Sequence, residues 1–167
     1  GIAAPAAAQA SYSVDPVQVK LAPGQDNTTI TVTNRGDTEL RLELEIFSWD
    51  HDDAGVMDLG QTEDLLLFPP LVTLQPGERQ QIRLGVETSV GDTEKAYRLL
   101  VQEIPSQSRA GGGEVSLRTV VSIPVFLQTG HDETDVRVDA EAGARRVAAH
   151  VINSGSVHVS VDAVGFR

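Results

Sequence analysis

The 167-residue sequence is informative first for what it lacks. It contains no cysteine, so neither a disulfide framework nor a cysteine metal site can form. Basic residues number 13 against 24 acidic ones, and the formal net charge is -11. This balance argues against a nucleic-acid partner, which needs a basic face to displace counterions, and against adsorption to anionic lipid. No segment approaches the roughly 20 apolar residues of a membrane span, so we expect no membrane insertion.

The patterns of enzyme and cofactor sites are also missing. The four histidines lack metal-ligand spacing, and there is no G-x-S-x-G nucleophile turn. Residues 111–113 are glycine-rich but lack the G-K-[ST] of a phosphate loop and precede a strand. Residues 50–55 begin like a calcium loop, yet Ala54 and Gln61 occupy ligand positions, so we interpret them as a hairpin turn. We therefore predict no enzyme activity, no metal site and no cofactor.

The alternation of apolar and polar residues is abundant, as is typical of β-strands. Residues 40–49 show it most clearly, since Leu40, Leu42 and Leu44 share one face and charged residues share the other. Residues 95–103 favour a helix by propensity. Their neighbours, however, are short strands separated by proline and glycine, which indicates a sandwich. Further strands are predicted at residues 12–21, 28–33, 64–68, 71–74, 80–86 and 114–127. The sequence therefore predicts an all-β, immunoglobulin-like β-sandwich.

The last predicted strand of this domain, residues 114–127, is unusually long. Its alternate positions are apolar except at Thr119, and it exceeds the usual five or six residues of a strand. A glycine-rich run at residues 106–113 leads into it. A long strand with a flexible entry can pair with a partner as well as with its own sheet.

The chain divides into four predicted segments. Residues 1–10 contain an A-x-A motif typical of signal-peptidase sites, so we interpret them as a leader or signal-peptide remnant of an exported protein. Residues 11–129 form the sandwich, and residues 130–135 form a linker. Residues 136–167 begin a second immunoglobulin-like domain, because VINSG at 151–155 repeats VTNRG at 32–36. This second domain is predicted to be incomplete, since so few strands cannot close a sandwich.

Several motifs are more specific than alternation. They are LLLFPPLVTLQPGERQQIRL at 65–84, Trp49, YRL at 97–99, EIP at 103–105 and SIPVF at 122–126. Together they resemble the PapD-like N-terminal domain of periplasmic pilus (fimbrial) assembly chaperones, and most of all the archaic, sigma-type chaperone–usher branch. The resemblance covers residues 11–127. It implies a periplasmic protein that caps pilus subunits lacking their last strand and delivers them to an outer-membrane usher.

The resemblance also implies how the subunit is bound. The long last strand would insert alternate side chains into the open groove of the subunit, which is donor-strand complementation. By position, Val115 and Leu117 are the donated side chains, in a row with Gly113 and Thr119. Without a subunit we expect this strand to pair with a second copy, as a homodimer or strand swap, or to be covered by residues 3–10 or by the second domain.

One departure from the family pattern concerns the anchor for the subunit's terminal carboxylate. Well-characterised members place an Arg in the first strand and a Lys in the last. The matching positions here are Gln18 and Ser122, neither of them cationic. Lys20, Arg118 and Arg83 are the candidate substitutes. The alternative hypothesis is therefore an exported immunoglobulin-like binding or structural module without chaperone activity.

Overall fold

A computed structural model describes residues 11–51, 56–104, 119–130, 133–143 and 147–161. This part of the chain forms twelve strands and contains no helix long and apolar enough to cross a membrane. The strands are β1 (Tyr12–Asp15), β2 (Val19–Leu21), β3 (Asn27–Asn34), β4 (Leu40–His51), β5 (Met57–Gln61), β6 (Leu65–Phe68), β7 (Leu71–Leu74), β8 (Arg79–Val86), β9 (Lys95–Glu103), β10 (Val120–Leu127), β11 (Val136–Ala142) and β12 (Val147–Asn153).

Ten of these strands form two sheets that pack face to face. The four-stranded sheet has the order β1-β3-β8-β6, and the six-stranded sheet has the order β2-β10-β9-β4-β5, with β7 also paired to β4. Alternate residues of both sheets fill the space between them, so that Ile30, Ile82, Leu42 and Leu99 are wholly buried. The predicted all-β, immunoglobulin-like fold is thereby confirmed.

Strand β9 lies at the centre of the six-stranded sheet. It pairs antiparallel with β4 on one side and with β10 on the other. Tyr97, Leu99 and Val101 are buried at alternate positions, as a two-layer sandwich requires. The prediction of a strand rather than a helix at residues 95–103 is confirmed, because cross-strand packing outweighs helix propensity there.

The prediction of a single strand at residues 12–21 is wrong. Strand β1 pairs with β3 in the four-stranded sheet, whereas β2 pairs parallel with β10 in the six-stranded sheet. Pro16, between them, has no N–H to give to a ladder and interrupts the strand. The chain therefore crosses from one sheet to the other at this proline.

Strand β10 has two neighbours over only part of its length. It pairs with β9 from Val120 to Leu127, but β2 pairs with it only at residues 125–127. Over residues 120–124, β10 is therefore an edge strand within the described part of the chain. The predicted extension of this strand back to Glu114 lies outside the described residues.

The hairpin of β4 and β5 extends beyond the predicted elements. Strand β4 continues to His51, and β5 pairs with it from Gln61 back to Met57. No strand was predicted at β5, because its residues are largely exposed and lack alternation. Buried neighbours on one face generate the alternating pattern, and β5 has few of them.

Strands β11 and β12 form a separate antiparallel hairpin that ends in a repeat of an earlier turn. The Nδ2 of Asn34 donates to the carbonyl oxygen of Thr38 at 2.8 Å, and the Nδ2 of Asn153 donates to that of Val157 at 2.7 Å. In both turns the side-chain oxygen accepts from the N–H two residues later. Asn34 is buried and also donates to the carbonyl oxygen of Leu74 at 3.0 Å, whereas Asn153 is exposed.

Candidate functional site

The hydroxyl group of Tyr12 holds the backbone at the start of β10. It lies 2.7 Å from the carbonyl oxygen of Val101, to which it donates, and 3.2 Å from that of Thr119. The Thr119 carbonyl also accepts from the N–H of Glu103 at 3.1 Å. Burial is the main cause that raises the pKa of Tyr12 to about 12. Thr119, the only predicted donor-row residue in the described part, is thus held where β10 joins the sandwich.

The two faces of β10 have different roles. Its inward side chains belong to the core, as predicted for residues 121–127; the fully buried ones are Ile123, Val125 and Leu127. Its outward side chains, Ser122, Pro124 and Phe126, lie on what we call the outer face, the side of the six-stranded sheet turned away from the core. Gly113, Val115, Leu117 and Arg118 lie outside the described residues.

Three of the carboxylate-anchor candidates belong to this region of the six-stranded sheet. Lys20 is exposed and lies beside Phe126 in the parallel register of β2 and β10. Gln18 is exposed just before β2, and Ser122 is exposed on β10. Extending the register by one residue beyond Val19 and Val125 brings Gln18 beside Pro124 rather than Ser122. The ammonium group of Lys20 makes no ion pair or hydrogen bond with any described residue.

Arg83 lies elsewhere. It is on β8 in the four-stranded sheet, where it pairs in register with Thr29 and Phe68. Its Nη2 lies 3.5 Å from the side-chain oxygen of Asn27. The sandwich therefore separates Arg83 from Lys20, Gln18 and Ser122.

An aromatic cluster that the sequence did not predict covers part of the outer face. It consists of Trp49, Arg98, Phe126 and His158. The Arg98 guanidinium carbon lies 3.8 Å from the Trp49 ring centroid. Trp49 and Phe126 have ring centroids 5.9 Å apart, and Phe126 stacks on His158 at 3.7 Å with an interplanar angle of 2°. Phe126 is consequently buried although its side chain points away from the core.

Arg98 is the cation of this cluster. It lies on β9 beside Pro124 of β10 and Phe47 of β4. Burial lowers the pKa of its guanidinium, and its Nε is buried without a hydrogen-bond partner in the described part. The alternation of residues in the sequence places Trp49 and Phe126 on the side of their strands that faces away from the core. Their contact depends on the order of the strands in the sheet, which alternation does not give.

The beginning of β9 is held by a polar network. The Tyr97 hydroxyl donates to Oδ2 of Asp64 at 2.7 Å, and Lys95 Nζ lies 3.3 Å from the same oxygen. The Tyr97 hydrogen bond is the largest cause that lowers the pKa of Asp64, with Lys95 adding to it. Burial, with the Asp64 contact, raises the pKa of Tyr97. This network is structural, and no group of three His, Asp or Glu side chains in the described ranges is placed to hold a metal ion.

This fold and sequence place the chain in a known family. Residues 11–129 match the family described as pili and flagellar-assembly chaperone, PapD N-terminal domain. The chain therefore belongs to the family of pilus-assembly chaperones, as its motifs indicated. A search of curated protein sequences finds no significant match.

Solved structures with the same fold include chaperones of several pilus systems. One is the CsuC–CsuE chaperone–tip adhesion subunit pre-assembly complex of the archaic chaperone–usher Csu pili of Acinetobacter baumannii. Its TM-score is 0.69 at 20% identity, over 88% of this chain and 73% of that one. The class 5 fimbriae chaperone CfaA has a TM-score of 0.63 at 16% identity, over 87% of this chain and 68% of that one. The Salmonella enterica SafA pilin–SafB chaperone complex has a TM-score of 0.62 at 16% identity, over 83% of this chain and 66% of that one.

Proposed function

We propose that the chain is a periplasmic chaperone that caps pilus subunits by donor-strand complementation and hands them to an outer-membrane usher. Family membership supports the general role. The observation that carries the proposed mechanism is the open edge of β10 over residues 120–124, where β9 is its one described neighbour. An edge strand presents unpaired backbone N–H and C=O groups, to which an incoming strand can add.

The donated side chains are proposed to be Val115 and Leu117, in the row with Gly113 and Thr119. They precede β10 directly, at the same alternate positions as the buried Ile123 and Val125. A strand that continues the direction of β10 would therefore present an apolar row to the subunit's groove. Backbone hydrogen bonds would supply affinity and the groove's pockets would supply specificity.

Lys20 is the residue that we propose as the anchor for the subunit's carboxylate. It is exposed, lies on β2 beside Phe126 of β10, and its ammonium group has no partner in the described part of the chain. A nearby ammonium could form a charge-assisted hydrogen bond with a terminal carboxylate. Arg98 is closer to the centre of the outer face, but its guanidinium is engaged with Trp49.

Co-expression with a strand-deficient pilin subunit tests the function. The wild-type chain should yield a one-to-one complex, which Val115→Asp with Leu117→Asp should abolish. Ser116→Asp is the control, because it adds a negative charge at the intervening position, on the other face of the strand, and should leave the complex intact. Lys20→Glu should weaken the complex without unfolding the chain.

The alternative function, an exported immunoglobulin-like module, predicts a different outcome. Such a module would capture no strand-deficient subunit, and the double Asp variant would behave like the wild type. A complex that survives the double variant but not the control would also overturn the proposed donor row.

A further inference from the structure

His158 connects the second hairpin to the first sandwich through one acidic residue. Its Nδ1 lies 2.7 Å from Oε1 of Glu94, and its backbone N–H donates to the same oxygen at 3.0 Å. The N–H of Glu94 in turn donates to the carbonyl oxygen of Ser156 at 3.1 Å. Three hydrogen bonds thus join the segment after β12 to the residue before β9.

The imidazole ring of His158 is also packed on the sandwich. It lies parallel to Phe126 at a centroid distance of 3.7 Å, and Phe126 contacts Trp49 in turn. The His158 side chain is 27% exposed and that of Glu94 only 4%. The contact is therefore largely shielded from water, which strengthens electrostatic interactions within it.

Glu94 is incompletely satisfied in this position. Its second carboxylate oxygen, Oε2, is buried without a hydrogen-bond partner in the described part of the chain. A buried carboxylate is costly unless an opposite charge compensates it. A protonated imidazole would supply that charge, whereas a neutral one would supply only a hydrogen bond.

Other charged and titratable groups surround the contact without bonding to the imidazole. Of the residues described, Glu94 is the one that pairs with His158. Arg98 and His51 face Trp49, and Lys95 pairs with Asp64. The groups on the neighbouring elements are Lys20 (β2), His51 (β4), Lys95 and Arg98 (β9), and Glu133, whose N–H bonds Ser156.

We propose that His158 and Glu94 form a pH-sensitive latch that holds the β11–β12 hairpin against the first sandwich. Imidazole side chains change charge within the physiological range. The latch is tightest in mildly acidic solution, where the ion pair forms on the Phe126 ring. It loosens in mildly basic solution, where the buried carboxylate faces a neutral ring. The angle between the hairpin and the sandwich therefore varies with pH.

Two spin labels can measure this, since the chain has no native cysteine to label. Cysteines introduced by Thr73→Cys on β7 and Ala140→Cys on β11 fall at exposed positions, one on each unit. Distance distributions between the two spin labels are measured by double electron–electron resonance. They are recorded at about pH 5.5 and about pH 8, on either side of the ordinary imidazole titration. We call the hairpin docked when it lies against the sandwich. The ratio of docked to undocked molecules should fall by on the order of threefold to tenfold from the lower pH to the higher one.

Single substitutions identify the group responsible. His158→Gln should remove the pH dependence, and Glu94→Gln should do the same while keeping the residue size. His150→Gln is the matched control, because His150 lies exposed on the same hairpin and should leave the pH dependence intact. His51→Gln should likewise have no effect.

Three results would overturn the proposal. They are a wild-type distribution that is the same at both pH values, a pH response that persists in His158→Gln, and a response that is lost in His51→Gln or His150→Gln. If a variant unfolds, its circular dichroism spectrum will show it. In that case the titration of the His158 ring protons in the wild type, followed by NMR with the Phe126 ring shifts, decides the matter.

Discussion

Replacing Asn34 by Ala tests how much the buried turn contributes to the first sandwich. The change removes the two donated hydrogen bonds to Thr38 and Leu74 and the one accepted from Gly36. It also leaves the carbonyl oxygen of Leu74, in a residue only 1% exposed, without this partner. At about 1 kcal/mol for each of the three bonds, plus at least about 1 kcal/mol for the buried unsatisfied oxygen, we expect a loss of about 4 kcal/mol.

Asn153 provides a matched control for this experiment. Its turn repeats two of the three hydrogen bonds, but the side chain is exposed and water can replace them. Asn153→Ala should therefore cost less than about 1 kcal/mol. The free energy of unfolding in urea, followed by circular dichroism, which reports on the strands of both units, measures both variants. Equal losses, or a loss below about 1 kcal/mol for Asn34→Ala, would refute the reasoning from burial.

Two further predictions concern titration. Because the pKa of Asp64 is lowered in the folded chain, its stabilising effect is present above the ordinary carboxyl pKa of about 4 and is lost as the pH falls through the folded value. Asp64→Asn should flatten the acid limb of the stability profile by less than about 1 kcal/mol, since the group is partly exposed; an unchanged limb would contradict this. The pKa of Tyr12 is raised to about 12 and that of Tyr97 is also raised, so the two tyrosines should stay protonated at about pH 11 while the chain is folded. Ultraviolet absorbance of tyrosinate at that pH, before unfolding, would show that the hydroxyls are not buried as described.

The sequence predicted those elements whose residues alternate around a core. Strands β4, β8 and β9 each bury alternate residues against the core over part of their length, so their period was visible. Strand β5 was missed because its exposed residues obey no such constraint. The break at Pro16 was readable as a proline, but which sheet each half joins depends on long-range pairing.

For the candidate site too, the sequence predicts which face of a strand a residue lies on, but not which residues of other strands it contacts. The outward positions of Lys20 and Phe126 follow from strand parity, yet the sequence could not show that they are neighbours in a parallel pair. The stack of His158 on Phe126 joins residues 32 positions apart in the chain and has no local signal. Contacts of this kind depend on strand order, which a pattern of alternating residues does not contain.

Hydrogen exchange with and without a bound subunit tests the central claim most directly. Strand addition at β10 should protect the backbone amides of Val115, Leu117 and residues 120–123, by on the order of a hundredfold where they pair with the incoming strand. The amides of β6, the edge strand of the other sheet, should exchange at the same rate in both states. Protection at β6 instead of β10, or no change at either edge in a stable complex, would contradict donor-strand complementation by this chain.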